Sequence, residues 1–436
     1  MFNNFKQMVY SKPKLLIATT VPETLATILQ GQPQYLSTYF ETAVVTSAGN
    51  PMLDMPEGAR FAVNMHRGIT PLADIKSIMA MVKVIRAFKP DIIHSYTPKA
   101  GLVCMVAGFL CRVSVRIHTF TGLIFPTTLN RLKHFVLKQV DALICACATT
   151  VVAEGAGVKR DLARFKVTSK PIHIIGHGNI AGLDSTYFDP SLPVIKHAVT
   201  DLDNNLDRNL KNNLASNLEN HASFTQSTDA FIFLFVGRLN RDKGLKELAQ
   251  AFVELDEQAV LWLVGSLDPT APPDANTLET LKKHPRIKQM GFLHDVRGVL
   301  ARCNVLVLPS YREGFPNVLL QAGAMQKPVI ATDINGSNEI VLAGETGWLV
   351  AAKNAGALKQ AMLQAMQTTI DQRLKMGLAA RKRVQKLFER EDYLSVLVSF
   401  YQSLTKQTNL IGSNHPSNPS TANHPNKPDN SSKPKT

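Results

Sequence analysis

Short apolar runs rich in Val, Ile and Leu alternate along this chain with longer stretches whose apolar residues recur every third or fourth position. In the first half the runs are Lys14–Thr19, Val44–Ser47, Asp91–His94 and Val115–Thr119. Before the third run, Ile75, Ile78, Met79, Val82, Ile85 and Phe88 recur at helical spacing, with Lys76, Lys83 and Arg86 elsewhere. That pattern predicts an amphipathic helix from Asp74. Lys89-Pro90 ends it, because proline disfavours the helical conformation in the residue before it. Consecutive apolar positions in the runs read as strands of a parallel sheet covered on both faces by helices. Cys145-Ala-Cys147 reads as one more strand segment, with both thiols as small core residues.

The alternation breaks near Asp189-Pro190. From Ile195 to Asp229 the chain is rich in Asn, Asp, Leu and Ser, which predicts an inserted, partly helical linker. A second alternation follows, with strands at Phe231–Val236, Val260–Val264, Ile287–Met290, Val305–Leu308, Pro328–Ala331 and Trp348–Val350 and a helix through Glu247–Leu255. Residues 371–404 read as helical, and beyond Thr405 the Asn, Ser, Pro and Lys content predicts disorder. The expected organisation is an α/β chain with one parallel-sheet domain over 1–190, an Asn-rich linker over 191–229 and a second such domain over 230–385. A helix over 386–404 and a tail over 405–436 complete it. Two open sheets in tandem, with sites at the carboxyl ends of their strands, predict a cleft between them.

The length of 436 residues agrees with more than one core. A formal charge of +14 calls for an anionic partner, and residues 1–190 hold 20 Lys+Arg against 11 Asp+Glu. Nucleic acid and an anionic membrane surface both qualify. No zinc-finger spacing, aromatic RNA-binding strand or helix-turn-helix is visible, which turns the balance away from nucleic acid. No apolar stretch approaches the roughly 20 residues of a membrane span. The polar start, Met1–Lys14, does not read as a secretory signal. Five cysteines, odd in number and without metal-ligand spacing, fit a reducing cytoplasm.

Two loops carry candidate chemistry. Gly237-Arg238-Leu-Asn-Arg-Asp-Lys243-Gly244 follows a strand directly and precedes a helix, so Arg238 and Lys243 can reach one anion from two sides. Arg312-Glu313-Gly-Phe315-Pro316-Asn317-Val318-Leu319-Leu-Gln321 follows the run Val305–Leu308. Pro316 is suited to a first helical position. The N–H groups of Asn317, Val318 and Leu319 then lack carbonyl partners at the positive end of a helix dipole, where a phosphate fits. Glu313 and Gln321 flank that site and can bond hydroxyl groups. Diphosphate beside polyol describes a nucleotide sugar. His118 ends the strand Val115–Thr119 and is expected to face the cleft and contact the sugar. Lys99, at another strand end, is a candidate for an acceptor phosphate.

Other patterns are set aside. Gly176-His-Gly178-Asn-Ile-Ala-Gly182 has the wrong spacing for a dinucleotide fingerprint. His173 and His177 share no helix face, and Asp201 and Asp203 read as solvated charges in the linker, so no metal site is expected. Arg131-Leu-Lys-His-Phe-Val-Leu-Lys138 is a basic amphipathic segment. Core packing with a solvated basic face is the plainer reading, and attachment to an anionic bilayer the sharper one.

The loop at 237–244, Glu313-Gly-Phe-Pro…Gln321, and Pro328-Val-Ile-Ala-Thr-Asp333…Gly336…Glu339-Ile…Gly347 together resemble the family 4 glycosyltransferases. His94…Thr97-Pro98-Lys99-Ala-Gly101 and Arg116-Ile-His118-Thr-Phe-Thr-Gly122 look like the bacterial branch that builds capsule, O-antigen and lipid-linked oligosaccharides. That branch is similar to N-acetylgalactosaminyltransferases acting on undecaprenyl-diphosphate-linked sugars. The resemblance covers roughly residues 14–400.

It implies the GT-B fold, with two Rossmann-like domains and a final helix, within Glu391–Leu404, crossing back to the first. It implies metal-independent, retaining transfer from a UDP-sugar, with UDP-GalNAc or another N-acetylhexosamine nucleotide as candidate donor, and no cofactor. By position, Gly237, Arg238 and Lys243 would hold the diphosphate and Glu313 the donor-sugar hydroxyls. The backbone of Phe315, Pro316, Asn317, Val318 and Leu319 would hold sugar and phosphate, and His118 would contact the sugar from the opposite domain. The Thr20–Leu25 loop would face donor and acceptor, with Thr20 and Lys99 on the acceptor side. The acceptor would be a polyprenyl-diphosphate-linked glycan at the anionic inner face of the bacterial plasma membrane. Where the family has a second Glu for the ribose, this chain has Gln321, which keeps an acceptor oxygen but loses the charge. A non-catalytic partner in a glycan-assembly complex is the alternative, and a sugar-nucleotide epimerase a weaker one.

Overall fold

The apolar runs become the strands of two parallel sheets. The computed structural model describes residues 11–48, 59–66, 68, 70–128, 130–195 and 230–413, the last seven by backbone alone. The first sheet holds β1 (Lys14–Ala18), β2 (Glu41–Thr46), β3 (Ala59–Ala62), β4 (Ile92–Ser95), β5 (Val115–Phe120), β6 (Thr150–Ala153) and β7 (Ile172–His173), ordered β3-β2-β1-β4-β5-β6-β7. The second holds β8 (Phe231–Val236), β9 (Ala259–Val264), β10 (Ile287–Gly291), β11 (Val305–Leu308), β12 (Val329–Thr332) and β13 (Gly347–Val350), ordered β10-β9-β8-β11-β12-β13. In each sheet the order reverses beside the first strand, between β1 and β4 and between β8 and β11. Connections leave that point toward opposite faces, and a crevice opens at the carboxyl ends.

The continuous apolar runs are explained by what covers them. Leu16 and Ala18 pack with Met81, Val82, Ile85 and Val103 beneath the helices Pro71–Phe88 and Pro98–Leu110. Leu15 and Ile17 face the other way, against Leu394, Leu397, Val398 and Tyr401 of the helix Arg390–Ser413. That last helix therefore crosses back to the first domain, as the resemblance implies, and it runs through the beginning of the expected tail. Residues 414–436 lie outside the described residues, as do 196–229 with Asp201 and Asp203.

The crossing is fixed by a buried polar network as well as by apolar contact. Tyr401 OH lies 2.6 Å from His94 Nδ1, and His94 Nε2 lies 2.7 Å from Thr119 Oγ1. Gln32 Nε2 donates to Tyr96 OH at 2.9 Å, beside Tyr401. Burial holds His94 well below the ordinary imidazole value, so the neutral ring donates through one nitrogen and accepts through the other. Tyr401→Phe strands a buried ring nitrogen. It is expected to cost about 1–3 kcal/mol in denaturant unfolding, and an unchanged midpoint would contradict the network's role.

Two local expectations are corrected. The helix over 71–88 turns Asp74, Ser77, Met81, Val82, Ile85 and Phe88 inward, leaving Ile75 58% and Met79 57% exposed. The cause is Lys99, whose ammonium lies 2.6 Å from Asp74 and draws that carboxylate to the inner face. Cys145 and Cys147 end the helix Arg131–Cys147 instead of forming a strand, although both are buried. In the same helix Leu132 and Phe135 are 73% and 58% exposed, while Leu137 packs against the first core, so the basic segment divides its apolar residues between core and surface.

Candidate active site

The loops leaving β8 and β11 meet at the reversal of strand order in the second sheet. Gly244 turns with φ +66°, and a Cβ there would lie 2.0 Å from the Pro309 carbonyl oxygen, so the two loops approach as closely as backbone permits. Asp242 stitches them further: its carboxylate takes Arg312 Nε at 2.9 Å and Nη2 at 2.7 Å, and its carbonyl accepts from Tyr311 N at 2.8 Å. This brings Lys243 Nζ to 2.5 Å from Glu313 Oε1, which also accepts from Ser310 Oγ at 2.6 Å. Arg238 stands at the mouth, its side chain 60% exposed, with Nη1 2.7 Å from Asp268 Oδ2. The Thr270 hydroxyl holds the Asp268 carboxyl below its usual value, with Arg238 adding less. A mostly exposed cation on a fixed carboxylate anchor can turn to an incoming anion without leaving its seat.

The helix after Glu313 begins at Asn317, and Pro316 is its cap rather than its first residue. Leu319 N donates to the Pro316 carbonyl at 3.0 Å, so the amides left facing an anion are those of Asn317 and Val318, one fewer than expected. Phe315 is buried in the second core against Phe388, which fixes the turn. Gln321 lies further into the same helix, half-buried.

The first domain closes on this turn. A Cβ on Gly314 would meet Glu154 Oε2 at 2.3 Å and the Thr121 carbonyl oxygen at 2.4 Å, and one on Gly122 would come within 3.6 Å of Gly314 Cα. Asn179 Nδ2 donates to Asn317 Oδ1 at 2.6 Å. Glu339 reaches across to the amides of Ala156 (2.6 Å) and Gly157 (2.9 Å), at the start of the helix Ala156–Arg164. A carboxylate there is stabilised by unpaired N–H groups and the helix dipole. Beside it Asn335 Nδ2 donates to Asp161 at 2.6 Å. Sequence reasoning passed over Glu154, Asn179 and Glu339 as site residues. A signal existed for Glu154, an acidic residue closing the run Val151-Val-Ala153 just before a glycine.

The first domain's predicted residues are placed differently. His118 is 1% exposed, its Nδ1 2.8 Å from Ser95 Oγ, its ring so close beneath Gly101 that a Cβ there would lie 2.4 Å away. Its side chain points into the layer between sheet and helix, away from the cleft, because inward and outward positions alternate along β5. Burial depresses its pKa to about 3, so the ring stays neutral. Lys99 is held by both Asp74 oxygens, at 2.6 and 2.8 Å, with 10% of its side chain exposed. Thr20 is 5% exposed and bonds Thr97 Oγ1 at 2.6 Å, tying the loop after β1 to the start of helix 98–110. None of the three joins the Lys243–Glu313 group. The first-domain residues that do reach the turn are Thr121, Gly122, Glu154, Gly178 and Asn179.

Two Rossmann-like sheets of seven and six strands, a crevice and a returning helix define the GT-B architecture. Sucrose-phosphate synthase from Thermosynechococcus elongatus shares it, with a TM-score of 0.73 at 20% identity over 90% of this chain and 100% of that one. Residues 37–178 match the model of the glycosyl transferase 4-like domain, and residues 230–368 that of glycosyl transferases group 1. The chain belongs to this glycosyltransferase family and is a hexosyl-type glycosyltransferase. Among curated relatives, the capsular polysaccharide biosynthesis glycosyltransferase CapM of Staphylococcus aureus is 27% identical over 91% of this chain and 98% of that protein. The UDP-Gal:alpha-D-GlcNAc-diphosphoundecaprenol alpha-1,3-galactosyltransferase of Escherichia coli is 24% identical over 83% of this chain and 90% of its own length.

Proposed function

We propose that this chain moves a sugar from a UDP-sugar to a glycan carried on polyprenyl diphosphate, with retention and without a metal, in making capsule, O-antigen or a related glycan. The observation that carries the reading is the convergence of Lys243, Ser310 and Glu313 where the second sheet reverses its order, beside the free-facing amides of Asn317 and Val318. Arriving diphosphate competes for Lys243, and Glu313, released from that ion pair, turns to the sugar hydroxyls. Arg238 and Lys243 then offset the charge that grows on the departing UDP. Gly237 and the Phe315–Leu319 backbone line the donor, and Gln321 takes the ribose.

The names of the S. aureus and E. coli relatives support a capsule or lipid-linked acceptor. The surface supports work at a membrane face: Leu72 (79% exposed), Ile75, Met79, Leu132 and Phe135 project from two first-domain helices that also carry Lys76, Arg131 and Lys133. Among the described residues no helix is long and apolar enough to cross a bilayer. The test is incubation with a panel of UDP-sugars and polyprenyl-diphosphate acceptors, with mass analysis of products. Failure of every UDP-sugar, with turnover of another nucleotide sugar, would overturn the donor assignment.

Gln321→Glu is expected to tighten UDP binding by about 1 kcal/mol, roughly fivefold, since it restores a charge-assisted bond to the ribose. Titration calorimetry showing no gain would remove Gln321 from the ribose contact.

A further inference from the structure

Three carboxyl side chains from three separate segments converge on the seam between the domains, and two of them have their own compensation. Glu313 has Lys243 and Ser310. Glu339 has the amides of Ala156 and Gly157 and, at 3.2 Å, that of Gly336. Glu154, 5% exposed at the carboxyl end of β6, lies against the Gly314 backbone between them. Among the described residues, the titratable groups acting on it from the surrounding elements are Glu313, Glu339 and the Tyr393 phenol, none of them a cation. Lys243, the cation behind Glu313, is already engaged.

We propose that Glu154 is a positioning residue: carrying its proton, it seats the Gly314 turn and with it Glu313, so that closure of the cleft takes up one proton. The inference rests on the glycosyltransferase reading for its use, but not for its test. In the closed arrangement burial, then the charges of Glu313 and Glu339, raise the Glu154 carboxyl well above its ordinary value. In an opened cleft water solvates the carboxylate, and it ionises in the ordinary carboxylate range. The closed form thus binds the proton more tightly. Closure is unhindered below the open-state value, and loses about tenfold in its equilibrium for each pH unit between the two values. A neutral carboxyl also suits its place beside a donor-sugar site, since it adds no third negative charge where a diphosphate must enter.

Small-angle X-ray scattering of the full chain tests closure without any substrate. Between pH 5.5 and 8.5 the radius of gyration of the wild type is expected to rise, while Glu154→Gln, which keeps shape and hydrogen-bonding atoms, stays at the compact value. Equal pH responses from the two proteins would overturn the proposal, as would a variant more open than the wild type at low pH. A UDP titration at pH 8 separates this from the donor reading. The variant is expected to bind UDP at least tenfold more tightly than the wild type. Absence of UDP binding in both, with the scattering difference intact, would defeat the donor assignment and leave the proton-linked closure standing.

Discussion

Lys243→Met is expected to lower kcat by about 10²–10³-fold, the usual consequence of removing one preorganised group aimed at developing charge. The side chains of Lys243 and Glu313 are 20% and 13% exposed, so their mutual attraction is only partly screened by water. Removing the ammonium therefore does two things. It takes a cation from the departing diphosphate, and it leaves Glu313 with Ser310 as its remaining bond. The second effect raises the cost of bringing a diphosphate near, so donor KM is expected to rise as kcat falls. Steady-state kinetics at saturating acceptor distinguish the two effects. Turnover within threefold of wild type would exclude Lys243 from the chemistry.

Gly314→Ala is expected to reduce turnover about 100-fold while leaving the fold intact. The new methyl would meet Glu154 Oε2 at 2.3 Å and the Thr121 carbonyl oxygen at 2.4 Å. The carboxyl can swing aside, but Thr121 O belongs to backbone leaving β5 and gives way only if the domains part. A misplacement of about 1 Å at a reacting centre is enough for a loss of that size. Because the collision is between domains, each sheet keeps its own core, and the unfolding midpoint should stay near that of the wild type. Full turnover in the variant would show that catalysis does not need this contact.

The parallel strands, the two sheets and the cationic and glutamate loops of the second domain were legible in the sequence. Each is set by local chemistry: apolar runs need cover on both faces, and a glycine-bounded loop after such a run has few ways to turn. The first domain's site residues were less legible. His118, Lys99 and Thr20 all sit near carboxyl strand ends, yet their side chains enter the layer between sheet and helix. Strand position gives the end at which a residue lies, whereas facing depends on the alternation and on a neighbour such as Gly101 leaving room. Asp74 shows the same limit from the other side. A charged residue occupies the inner face of an amphipathic helix because Lys99, 25 residues later, requires it, and Ile75 and Met79 are turned outward in consequence. Asn179 was hidden in a glycine loop whose spacing excluded a dinucleotide, and its bond to Asn317 follows only once the two domains meet. For Glu339, quoted within a family pattern, the acting atoms are amides of the other domain.

The returning helix has a consequence for how the protein is made. Leu15, Ile17, Ile92, Val115 and Ile117 leave the ribosome well before Leu394, Leu397 and Tyr401, which supply part of their cover. At about 5–20 residues per second, synthesis of the intervening chain takes roughly 15–75 s. Through that interval one face of the nascent first sheet is incompletely shielded, which makes it a target for holding chaperones. It also means that the N-terminal half, produced by itself, would be prone to aggregate, and that folding of its sheet waits on a segment far downstream in the chain.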